Sequence, residues 1–140
     1  MKKLSNIELF NGITGKVFAL LYQNFPRKTE INPASFLEDF IDEEDYDGAF
    51  DFDEIVAATL TWLDKAGYIW LNEPECYGAS YSATLSHKGL ETLKLIPDSI
   101  EQKITIGDKI IEFSKGKFSE GMNQIVTMAI SEGIKLIFKP

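Results

Sequence analysis

The chain has 140 residues and a mass of 15.8 kDa, with 44% hydrophobic and 26% charged residues, a balance suited to one folded core rather than a disordered chain. Lys and Arg number 14 against 22 Asp and Glu, for a net charge of −8, which works against broad attraction to nucleic acid or anionic lipid. A single Cys excludes an intramolecular disulfide, and a single His excludes a multi-histidine metal or catalytic centre.

The opening MKKLSNIELFNG carries two lysines with no apolar run behind them, so no secretory signal is expected. No stretch reaches 18 apolar residues, so no transmembrane helix is expected and the expected address is the cytoplasm. A first helix is read over Ile13 to Phe25, where Ile13, Val17, Leu20, Leu21 and Asn24 recur at helical steps. Pro26 ends it, because proline disfavours the helical conformation in the residue before it. Lys2, Lys3, Lys16, Arg27 and Lys28 offer local basic patches in this region.

Asn32 followed by Pro33 reads as an N-cap and first helical position. The short second helix has Phe36, Leu37, Phe40 and Ile41 on its apolar face. IDEEDYDGAFDFDE then interrupts the pattern, with Gly48 allowing a tight turn. A third helix is read from about Asp53 to Ala66, with Val56, Leu60 and Leu63 in one apolar row and Ile55, Thr59 and Trp62 in another. Gly67 is its stop.

Beyond Gly67 the period changes to that of strands. Tyr68 to Leu71 and Tyr81 to Leu85 form a hairpin around the loop NEPECYGAS. Trp62 and Trp70 lie in apolar stretches and are read as core and wing-base packing. Cys76 has no cationic neighbour in the sequence to activate it and is read as a free thiol. Ser86 caps a fourth helix from His87 to Ile96, ended by Pro97. His87 reads as a capping or surface residue, since nothing supplies the nucleophile and orienting group that catalysis would need. Gly12 and Gly15 lack the lysine-serine pair of a phosphate loop.

The last 42 residues suggest an amphipathic helix over Ser99 to Ser114, a break at SKGK, and a final helix capped by Ser119. Met122, Ile125, Val126, Ala129, Ile130, Gly133, Ile134 and Ile137 make a one-sided helical stripe. Gly121, Ala129 and Gly133 permit close approach. The polar side of this helix is poor in bases, so no membrane role is expected. The stripe calls for a second subunit or for docking on the first helix, and its partner-binding candidates are Met122, Ile125, Ala129, Ile130, Gly133 and Ile137.

Helix, helix, helix, hairpin, helix is the order of a winged helix. TLTWLDKAGYIWL (Thr59 to Leu71) resembles a third helix running into the wing, and ATLSHKGLETLKLIP (Ala83 to Pro97) resembles the returning strand and fourth helix. Leu85, Ser86, Lys88, Gly89 and Leu90 are similar to a turn that recurs in winged-helix regulators. Taken with the C-terminal arm, the chain resembles a group of small uncharacterised bacterial winged-helix proteins of the winged helix-turn-helix superfamily. The resemblance implies a mainly α fold with a small β-hairpin: a winged-helix domain at 1–98 and a helical arm at 99–140 for oligomerisation or docking. It brings no activity with it.

In DNA-binding winged helices the third helix enters the major groove and bases contact phosphates. Here that helix offers Asp53, Glu54, Thr61, Asp64 and one base, Lys65, while the wing tip carries Glu73 and Glu75. Residues 1–98 hold 8 bases and 17 acids; residues 99–140 hold 6 and 5. Ten acids and no base lie between Glu38 and Glu54. Set on the calcium loop of an EF-hand, Glu43, Asp45, Asp47, Ala49, Asp51 and Glu54 fall on ligand positions, though the first ligand is Glu where Asp is required. The competing reading is a solvated acidic connection. The expectation is therefore a non-enzymatic module that binds itself and another protein. A dimeric DNA-binding transcriptional regulator and a calcium-responsive switch are the alternatives.

Overall fold

Ser5 starts the first helix. Its Oγ accepts from the Glu8 N–H at 3.2 Å, and Glu8 Oε1 accepts from the Ser5 N–H at 3.0 Å. This reciprocal cap satisfies two donors that a helix start leaves free. Helix α1 therefore runs Asn6–Asn24, a longer helix than the apolar period from Ile13 indicates. It stops before a cis Phe25–Pro26 bond. The computed structural model describes residues 4–40, 46–72, 80–98 and 103–137, with backbone alone for 46–51 and 137.

A strand absent from the sequence reading follows: β1, Thr29–Ile31. Asn32 then caps as expected, its Oδ1 accepting from the Ala34 N–H at 3.1 Å. The second helical element is a 3-10 helix, Pro33–Asp39. Phe36 and Phe40 turn inward from it, and both rings meet Phe52.

Helix α2 spans Tyr46–Lys65 and so starts inside the stretch read as a loop. Phe52 is fully buried and extends the row of Val56, Leu60 and Leu63 back by one turn, which gives the earlier turns something to pack on. Acids at a helix start are favoured by the macrodipole, so the composition that suggested a loop suits a helix as well. A calcium loop needs its residues wrapped round the ion. From Tyr46 onward they are instead helical, and Asp47, Ala49, Asp51 and Glu54 lie on α2. Glu43 and Asp45 lie outside the described residues, as do Lys2, Lys3, Glu73, Glu75 and Cys76. Among the described residues, no group of three or more His, Cys, Asp or Glu is placed to hold a metal ion.

Strands β2 (Ile69–Asn72) and β3 (Tyr81–Leu85) form the expected hairpin, with Ile69 opposite Leu85 and Trp70 opposite Thr84. β1 joins the other edge of β3, with Thr29 opposite Ala83. The sheet is antiparallel, in the order β1-β3-β2. The molecule is thus mainly helical with a small three-stranded sheet.

Ser86 caps α3, His87–Lys94. Thr105 caps α4, Ile106–Ser114, by accepting from the Asp108 N–H at 3.0 Å. The helix is thus shorter than the expected Ser99 to Ser114: residues 103–105 are not helical, and 99–102 lie outside the described residues. Ser119 accepts from the Met122 N–H at 3.3 Å ahead of α5, Glu120–Ile137. Among the described residues, no helix is long and apolar enough to cross a membrane.

The last two helices do not stand apart. Ile106, Ile110, Met122, Ile125, Val126 and Ala129 belong to the same core as Ile13, Val17, Phe18 and Leu21 of α1. Lys16 ties α1 to this unit. Its Nζ lies 2.7 Å from Asp39 Oδ2 and donates to the Ser114 and Gly116 carbonyls. Lys16 is thereby withdrawn from the basic patch, whereas Arg27 and Lys28 remain exposed.

Candidate functional site

Tyr68 is the centre of an aromatic cluster with Phe18 and Trp62. Gly67 adopts φ +89°, a conformation costly for other residues. This left-handed turn closes α2: Tyr68 N–H donates to the Leu63 carbonyl at 2.9 Å, and Gly67 N–H to the Asp64 carbonyl at 3.0 Å. The chain then drops the Tyr68 ring into the core, where it is fully buried. Phe18 lies 6.0 Å from it between ring centroids, and Lys88 Nζ sits 4.2 Å over its face. Its hydroxyl donates to the Ile130 carbonyl of α5 at 2.7 Å, so the buried O–H is satisfied.

Trp62, one turn from the end of α2, stacks on Tyr68 at 6.4 Å with 15° between the planes. Phe10 of α1 meets Trp62 at 5.2 Å and 89°, an edge-to-face arrangement. The other side of the indole faces solvent. Trp62 is 45% exposed, Ile7 69% and Ile134 48%. Helices α1 and α5 run antiparallel: Gly15 lies against Met122, and Asn11 Nδ2 donates to Asn123 Oδ1 at 2.7 Å and to Thr127 Oγ1 at 3.4 Å. One turn further along, Ile7 comes level with about residues 129–130. Ile7 lies one turn ahead of Phe10 on α1, whose ring meets Trp62, and Ile134 lies one turn beyond Ile130 on α5, whose carbonyl accepts from Tyr68.

This corrects two expectations. Trp62 and Trp70 are exposed rather than core; Trp70, at 62%, points from the outer face of the sheet, alternating with buried Ile69. The α5 stripe takes the second of its two expected coverings, docking within the chain, so its partner-binding candidates are not a free surface. Met122, Ile125, Ala129 and Gly133 are buried against their own chain, Ile130 is half-buried, and the side chain of Ile137 lies outside the described residues. Small residues do permit close approach, as expected, but by an aromatic ring. A Cβ added at Gly133 would lie 2.3 Å from the Tyr68 ring. Ile7 and Phe10 stand ahead of Ile13, where the apolar period begins, so that period does not mark them. The signal that finds them is Ser5 followed by Glu8, a capping-box spacing. His87 is exposed at the start of α3, in keeping with a surface role.

Two expected results test this junction. Gly133→Ala forces the Tyr68 ring aside and should cost about 1–3 kcal/mol, as overpacking does. In a Tyr68→Leu background the same change should turn stabilising, by up to about 1 kcal/mol, because alanine is the better helix former. Urea unfolding of the four chains reads the reversal; equal effects in both backgrounds would show that the ring is not the obstacle. The second concerns pH. Desolvation pushes the Tyr68 hydroxyl up to about 12 from 10.0, and burial lowers Lys88 from 10.5. The folded state holds the tyrosine proton more tightly than the unfolded state does. Its contribution is therefore complete below pH 10 and is lost as pH rises towards 12. Lys88 has the opposite sign, its penalty being relieved by 10.5, which leaves the upper window to Tyr68. Tyrosinate absorbance should show a late-titrating hydroxyl that is missing in Tyr68→Phe.

The exposed indole of Trp62 is bordered by aromatic side chains, Phe10 and Tyr68. Compared with known proteins, the chain matches no family model, no curated protein and no solved structure.

Proposed function

We propose that the chain is a winged helix-turn-helix module of the cytoplasm that acts by binding protein, not by catalysis. The order of α1, the 3-10 helix, α2, the β2–β3 hairpin and α3 supports the winged-helix reading, with β1 as an added edge. The carrying observation is the exposed side of α2, the helix that would read DNA in such a fold. It presents Trp62 to solvent, together with Asp53, Glu54, Asp64 and a single base, Lys65. A groove reader needs cations for phosphates and donors for base edges. An exposed tryptophan on a packed aromatic platform is instead the kind of anchor that dominates protein interfaces. The test is a titration of labelled random-sequence duplex at physiological salt. No binding is expected. Submicromolar binding that weakens steeply with salt would overturn the reading in favour of a DNA-binding regulator.

A further inference from the structure

We draw no further inference here: the strongest candidate, the exposed indole of Trp62 near the end of α2, where it meets Phe10 of α1, is an apolar surface patch, and nothing in the structure shows what covers it.

Discussion

Deleting residues 119–140 is expected to leave a chain that no longer unfolds cooperatively. The deletion removes Met122, Ile125, Val126 and Ala129, all buried in the common core. The three larger side chains alone carry roughly 5–9 kcal/mol of burial, at about 1.5–3 kcal/mol each. A domain of this size has about 5–15 kcal/mol in total. The cut also uncovers what α5 covers on α1, α3 and α4, and leaves Tyr68 without its hydroxyl acceptor, the Ile130 carbonyl. Ellipticity of residues 1–118 should fall gradually with temperature, without a sharp transition and without fixed aromatic signals in the near ultraviolet. A sharp melt close to that of the full chain would mean that α5 rests on a core already complete without it.

That expectation could not be drawn from the stripe alone. Its periodicity shows that one face of α5 leaves water, and the structure agrees at Met122, Ile125, Val126 and Ala129. What covers the face is decided far away in sequence, at Asn11, Gly15 and Tyr68, and helical spacing carries no record of them. Capping was legible for the opposite reason. Asn32, Ser86 and Ser119 act within three residues, and each caps where its side chain allows. β1 was missed because three residues are too few to display a period of two, and its pairing with β3 is long-range. The acidic segment reads as a connection because carboxylates suit a loop and a helix start equally well; the row that Phe52 adds ahead of Asp53 is what α2 packs on there. Trp62 was placed inside by its apolar neighbours. Helix α2 buries its Val56, Leu60 and Leu63 row in the core, and the second row turns outward at its far end, where Trp62 is exposed. Residue type alone does not report that angle, and the exposed indole was invisible for that reason.

Gly89→Ala should be the most damaging single methyl group in the molecule, at about 3 kcal/mol, the upper part of the range for overpacking. Gly89 lies in the first turn of α3, and its N–H donates to Ser86 Oγ at 3.0 Å. Its φ is not positive, so backbone conformation makes no demand for glycine here, and helix propensity alone would favour alanine by about 1 kcal/mol. The obstacle is the Tyr68 carbonyl oxygen, 2.1 Å from where the methyl carbon would sit. That oxygen already accepts from the Ser86 N–H at 3.1 Å, while Ser86 Oγ donates to the Gly67 carbonyl and Lys88 Nζ to the Ala66 carbonyl. Neither α3 nor the start of β2 can withdraw without loosening this set of bonds. Here the comparison with Gly133 becomes a test. At Gly133 the neighbour is a ring, and Tyr68→Leu should relieve the clash; at Gly89 it is backbone, and Tyr68→Leu should relieve nothing. Urea unfolding of Gly89→Ala with and without Tyr68→Leu distinguishes the two, and a cost below about 0.5 kcal/mol, or a rescue, would show that α3 is free to move. The consequence reaches the surface. Lys88 holds one face of the Tyr68 ring and Trp62 stacks on the same ring, so an α3 pushed outward tilts the platform beneath Trp62.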